Sequence, residues 1–272
     1  MTRAFLGICT LNRVAYLRAI LESFQQTASH RMEWVVAVAD DGSSDGTGDY
    51  LRSQLKSRSI DMVAWNSYAG VCRQKNCLLA LANAVNADFT FLADDDIVFR
   101  RPGWDIAYMD AMQATGYGHL IHFDEALAGR QGTPDAAGAP IRWTVPVQDA
   151  QGAFLTLSRA ARIAVGYFDE RNFWGRGWGH RDFTHRLVLA GQHPAEMSAD
   201  HVDGPRLLGL QPRESYVQSV LRQPGTEAFW ASVTAGEQAR RKRVIESRTQ
   251  PHLSIADAMH PAHHTQLQGT GS

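Results

Sequence analysis

Four short apolar runs, each stopped by polar or acidic residues, limit the folds open to this chain more than any other feature. Residues 4–10, 34–39, 62–65 and 89–93 read as buried strands. Between them, residues 14–27 carry Leu17, Ile20, Leu21 and Phe24 at helical spacing. A second helix starts near Asp49, behind the capping Ser, Thr and Asp residues of 40–47, and a third is expected over 70–84. Strand and helix in alternation predict parallel βαβ units, an α/β fold with a mostly parallel central sheet flanked by helices. Ligands of such sheets sit outside the carboxyl ends of the strands. Asn12, Asp40, Asp41, Asn66 and the triplet Asp94, Asp95, Asp96 all fall at predicted strand ends, so one crevice is expected to collect them.

The second half has another texture. Residues 128–152, rich in Gly, Pro, Ala and Asp, read as a loop or flexible excursion, and 152–158 as a strand. Residues 174–182 form a Gly/Trp-rich loop leading into a helix over 183–190, and 227–248 read as a C-terminal helix. From Thr249 on, Pro, His, Gly and Ser predict a poorly ordered tail, with His260, His263 and His264 solvated. The basic run Arg240, Arg241, Lys242, Arg243 reads as a solvated helix face that can touch an anionic membrane or acceptor.

Composition removes several classes. A net charge of -1 supplies no global field toward nucleic acid or anionic membrane. Three cysteines, Cys9, Cys72 and Cys77, with no Cys-x-x-Cys pair, argue against a disulfide framework and a zinc site. No run approaches the ~20 apolar residues that span a bilayer. The residues ahead of the first strand are too few for a signal-peptide core, so a cytoplasmic location is expected.

Three adjacent carboxylates at a strand end repel one another unless a cation neutralises them. Carboxylates together with water and phosphate oxygens suit Mn²⁺ or Mg²⁺ facing a diphosphate; a solvated acidic turn or helix cap is the alternative. Asp41, at the end of its strand, can accept from a base N–H or a ribose hydroxyl, or simply organise a turn. Trp174 and Trp178 offer flat faces to sugar C–H groups, or pack in a core. Asp182, beside His180 and Arg181 at a loop–helix boundary, suits a general base and equally a helix N-cap.

In Ile8-Cys9-Thr10-Leu11-Asn12-Arg13, the Asp40–Thr47 run, Asn66 with Gly70 and Asn76, and Asp94-x-Asp96, the chain resembles the family 2 glycosyltransferases and their GT-A relatives over roughly its first hundred residues. The resemblance implies a GT-A fold and a nucleotide-sugar donor, with UDP favoured. It also implies donor contacts from Thr10, Asn12, Arg13, Asp41, Asn66, Arg73, Asp94, Asp95 and Trp178. Ser158-Arg159, Gly166 to Glu170 and Gly177-Trp178-Gly179 followed by Asp182 resemble the carboxyl-terminal part of galactosyltransferase-like enzymes. That likeness implies Asp182 as base, with His180 as the neighbouring candidate, and a metal at Asp94 and Asp96 with His201; His193 is a weaker candidate. Arg181 departs from the pattern, standing where those enzymes have Glu.

The expected organisation is a nucleotide-sugar-binding half over 1–118, an acceptor-binding and catalytic half over 119–226, and a helix with a flexible tail over 227–272. The expected reaction is metal-dependent, inverting transfer of a sugar to a hydroxyl of a glycan, lipid carrier, protein, small molecule or modified nucleic acid. Two other readings stay open. A sugar-nucleotide pyrophosphorylase would carry a Gly-rich phosphate loop that residues 9–12 do not form, and a non-catalytic nucleotide-sugar-binding module would bind without turnover.

Overall fold

The computed structural model describes residues 1–122, 152–173, 178–192, 234–260 and 263–270, together with strands at 133–134, 142–146, 206–210 and 217–219. In chain order the first half runs β1 (Thr2–Thr10), α1 (Val14–Thr27), β2 (Met32–Asp40), α2 (Thr47–Ser57), β3 (Met62–Trp65), α3 (Val71–Ala84) and β4 (Phe89–Asp94). Then come β5 (Ile97–Phe99), α4 (Trp104–Thr115), β6 (His119–Ile121), β7 (Thr133–Pro134), β8 (Arg142–Pro146) and β9 (Phe154–Ser158). The remainder holds α5 (Arg159–Val165), α6 (Glu170–Phe173), α7 (Gly179–Leu189), β10 (Arg206–Leu210), β11 (Val217–Ser219), α8 (Ala235–Glu246), α9 (Ile255–Ala258) and β12 (Gln266–Gly269).

The main sheet has the order β12-β3-β2-β1-β4-β9-β6-β10-β8-β7. Its heart, β3-β2-β1-β4, is parallel, as the alternating pattern demands, and β9 inserts antiparallel between β4 and β6. β1 is central, and its inner residues are buried because the sheet is covered on both faces. One layer packs Phe24, Trp34, Phe91, Phe99, Trp104 and Phe154 as an aromatic cluster; the other packs α3 and the second-half helices, with Phe168 stacked on Phe183 at 4.0 Å. Asn76 of α3 joins the halves, donating to Phe168 O at 2.9 Å and accepting from Phe168 N at 2.7 Å.

Three expectations change. The stretch read as a loop over 128–152 contains β7 and β8, both in the main sheet. The helix expected from 183 begins at Gly179, because Trp178 takes a left-handed turn (φ 67°) that starts the helix a turn early. A Cβ on Gly179 would collide with Cys72 Sγ, so this glycine serves the close packing of α7 on α3.

The third correction concerns the tail, which is a strap and not a poorly ordered end. From Arg248 it crosses the second-half helices and finishes as β12, paired antiparallel with β3 at the sheet edge. Leu253 exchanges main-chain bonds with Val165 and Tyr167, at a crossing where Gly166 (φ 69°) leaves no room for a Cβ. Arg186 donates to Pro251 O, Arg171 to Ala256 O and Met259 O, and Arg73 to His260 O and His263 O. Hydrogen bonds from charged groups contribute about 1.5–3 kcal/mol each. Even with the surface pair from Arg171 discounted, these bonds anchor the strap as part of the fold.

Candidate active site

The carboxyl ends of β1, β2, β3 and β4 bring the acidic and amide residues to one rim. Asp94 ends β4, held by its N–H donating to Ala153 O at 2.7 Å. Its side chain is 34% exposed and lies 3.3 Å from Lys75 Nζ. Asp95 is buried, accepting from Thr10 Oγ1 at 2.7 Å and Arg13 Nη1 at 2.5 Å; Asp96 takes a longer contact from the same guanidinium at 3.3 Å. The repulsion expected of the triplet is therefore offset in large part by two cations of the chain itself. Burial opposes the charge on Lys75, but Asp94, together with Cys9 and Cys72, leaves the ammonium pKa raised. Burial, then Asp94 and Asp95, push the Asp96 carboxyl up to about 6.

Among the described residues, Asp94 Oδ1 and Asp96 Oδ1 are buried and accept no hydrogen bond. Carboxylate oxygens from two residues of one strand end, that of Asp94 also 3.3 Å from Lys75 Nζ, fit a divalent cation whose other ligands are water and phosphate oxygens. No group of three His, Cys, Asp or Glu side chains forms a complete metal cage among the described residues. His201 and His193 lie outside them, as does Trp174.

The raised pKa of Asp96 carries a stability consequence. A carboxylate whose folded pKa exceeds its unfolded value penalises folding when ionised. The penalty is absent below the unfolded value of about 3.8 and is complete above about 6. Asp96→Asn is expected to stabilise the metal-free protein at pH 7 by about 1–3 kcal/mol, and thermal unfolding at pH 7 and pH 4 checks it: the gain should vanish at the lower pH.

Other residues expected to face a donor also build the rim. Thr10 is buried, its N–H donating to Gln74 Oε1 at 3.0 Å. Asn12 ties the turn after β1 to the turn after β2, accepting from Ser44 N and donating its own N–H to Ser43 Oγ. Asp41 is buried, and its two oxygens accept from Ala69 N and Gly70 N at 2.8 Å each, so it shapes the entry to α3. Burial pushes its carboxyl up despite those two bonds. Arg73 faces inward, pairing with buried Glu170 and holding the strap. Asn66 alone of this group keeps an unpaired polar end, its Nδ2, among the described residues.

On the second-half side, Lys75 Nζ donates to Gly152 O at 2.6 Å. A Cβ on Gly152 would lie 3.0 Å from His180 Cγ and Nδ1, so the imidazole packs directly on that glycine. Asp94, Lys75, Gly152 and His180 thus form a continuous chain of contacts from the acidic rim to α7. Trp178 is half-buried with the Arg181 guanidinium 4.6 Å over its ring. Asp182 departs from its expected place. It is 0% exposed, with Arg186 Nε on Oδ2 at 2.9 Å and Arg248 Nε on Oδ1 at 2.8 Å. Because the helix begins at Gly179, Asp182 lies within its first turn and points to the interior, with an arginine on each carboxylate oxygen.

Lys75 and Gln74 were not singled out in the sequence, and Glu170 was read only as part of the Gly166 to Glu170 run. Arg73-Gln74-Lys75-Asn76 carried a signal: four successive polar side chains sweep all round a helix, so some must face its packed side.

Residues 6–122 match the Glycosyl transferase family 2 description. The first half of the chain is a family 2 glycosyltransferase domain. Over 181 residues the chain is 24% identical to an uncharacterized glycosyltransferase, R363, of Acanthamoeba polyphaga mimivirus, covering 63% of this chain and 66% of that protein. Among solved structures it superposes on S. aureus TarS (17% identity, TM-score 0.51, 70% of this chain and 34% of that one) and on TarS 1-349 in complex with UDP (18%, 0.51, 70% and 56%). It also superposes on the mannosyltransferase PcManGT from Pyrobaculum calidifontis in complex with GDP-Man and Mn²⁺ (14%, 0.51, 70% and 52%). At these identities the structural likeness is one of fold, the GT-A α/β arrangement, and the chain spans a third to two thirds of these relatives. Among the described residues no helix is long and apolar enough to cross a membrane.

Proposed function

We propose that the chain transfers a sugar from a nucleotide-diphosphate donor, UDP favoured, to an acceptor hydroxyl, with inversion at the anomeric carbon. The observation that carries this reading is the pair of buried, hydrogen-bond-free oxygens on Asp94 and Asp96 at the carboxyl edge of a family 2 domain, flanked by Lys75 and Arg13. The UDP bound by TarS and the Mn²⁺ with PcManGT support the donor and metal classes.

Asp94 and Asp96 would hold Mn²⁺ or Mg²⁺, which supplies Lewis-acid stabilisation to a leaving diphosphate. Arg13 and Lys75 fix the three carboxylates and keep the rim near charge balance until the donor arrives. His180, at the far end of the Asp94–Lys75–Gly152 contact chain, is the group we assign to accept the proton of the attacking hydroxyl. Gly152 lets the imidazole approach the rim closely, and Trp178 gives the sugar an apolar face. One displacement with one base on the side opposite the leaving group inverts the anomeric configuration. Asp182, Arg186 and Arg248 hold α7, and thereby His180, in position.

Thermal unfolding with a panel of nucleotide-sugars tests the reading. A donor at one hundred times its Kd is expected to add about 2.7 kcal/mol of stability with Mn²⁺, and EDTA is expected to abolish most of that gain. Stabilisation by none of the panel would remove the donor reading; stabilisation indifferent to EDTA would remove the metal.

A further inference from the structure

Lys75 is a buried ammonium directly behind the most open carboxylate of the acidic rim. It belongs to α3, which packs on β1 and β2, and its side chain is 4% exposed against 34% for Asp94. Nζ lies 3.3 Å from Asp94 Oδ1, donates to Gly152 O at 2.6 Å and stands 5.9 Å from the centre of the Phe168 ring. Salt and water screen a charge placed this way far less than they screen one on the surface. An ammonium enclosed by helix, sheet and Gly152 also cannot swing out to solvent when another cation claims its carboxylate.

Arg13 is the second resident cation, but its closer contact is with Asp95, and it reaches Asp96 only at 3.3 Å. Asp94 is left to Lys75. Three carboxylates against two cations leave the rim a single negative charge. A divalent ion arriving alone meets little net attraction, and it meets a fixed positive charge behind the oxygen it needs on Asp94. A diphosphate feels the same ammonium as an attraction, across the carboxylate and with no contact required. The two ligands therefore sense Lys75 with opposite sign.

Resting on the donor-site reading above, we propose that Lys75 sets the order in which the site fills. It holds a free divalent cation off Asp94 and favours the diphosphate, so the metal enters with the donor and not ahead of it. Lys75 does this through its charge alone and touches neither ligand.

Binding to the full-length protein tests this, with Mn²⁺ alone followed by electron paramagnetic resonance and pyrophosphate alone by calorimetry. Lys75→Gln keeps a donor for Gly152 O and removes the charge. It is expected to bind Mn²⁺ about tenfold more tightly than the unmodified protein, and pyrophosphate about tenfold more weakly. Opposite shifts are the signature, because a merely structural role would weaken both ligands. Shifts of the same sign, or no shift, overturn the proposal. The unmodified protein supplies a second measurement should the variant not fold. Mn²⁺ is expected to bind it at least about tenfold more tightly when pyrophosphate saturates the site, and equal affinity with and without pyrophosphate overturns the proposal. In each of these cases the proposal falls alone, since Mn²⁺ and pyrophosphate still bind. If the unmodified protein binds neither, separately or together, the donor-site reading fails and takes the proposal with it.

Discussion

His180→Ala is expected to lower sugar transfer by about 10²–10⁴-fold, the usual contribution of a positioned proton acceptor. Donor affinity should change little, because the imidazole meets the rim through Gly152 and not through Asp94 or Asp96. The ring is half-buried at the start of α7, where it packs on Gly152. The fall should therefore appear in kcat measured below the unfolding transition, and His180→Gln, which keeps hydrogen-bonding capacity but cannot take up the proton, should not rescue it. A steady-state comparison of kcat and KM, set beside calorimetric donor binding, separates the cases. Loss of donor affinity with unchanged kcat would make His180 a binding residue, and near-normal transfer would move the base elsewhere.

The first half was legible because its information is local. Residues 14–27 carry a complete amphipathic stripe and coincide with α1, and the run at 62–65 coincides with β3. The acidic and amide residues follow directly from where those strands stop. Their individual roles were less legible. Asp41, Asp95 and Arg73 are the residue types that contact donors, yet each also carries bonds of the chain itself, to the long-range partners Ala69, Thr10, Glu170 and His263. The strap was invisible for the same reason. Gln266-Leu267-Gln268-Gly269 has no apolar alternation, and its partner strand lies about two hundred residues earlier, marked by Trp65 Nε1 donating to Gln268 Oε1. His-, Pro- and Gly-rich composition reads as disorder because a strand added at a sheet edge, with every residue exposed, need not look like one.

Asp182 shows where a motif and its surroundings part. Arg186, four residues on, was a readable helical partner; Arg248 was not, and it is the second guanidinium that closes the remaining oxygen. Removing one member of a buried ion pair costs about 3–5 kcal/mol, because the partner's charge stays buried without compensation. Asp182→Asn should approach that cost, since an amide placed between two arginines must turn its N–H₂ toward one of them. In a chain of this size each kcal/mol moves the melting temperature by roughly 2–4 °C, so a loss of about 6–20 °C is expected. Transfer measured below the unfolding transition should persist, because both carboxylate oxygens are held by arginines. Arg248→Ala should produce a partial version of the same loss, and the double variant should lose less than the sum, as members of one network do. The opposite outcome, a full-strength fold with transfer down by about 10²–10⁴-fold, would mean that Arg248 releases Asp182 during turnover and that the carboxylate, not the imidazole, takes the proton.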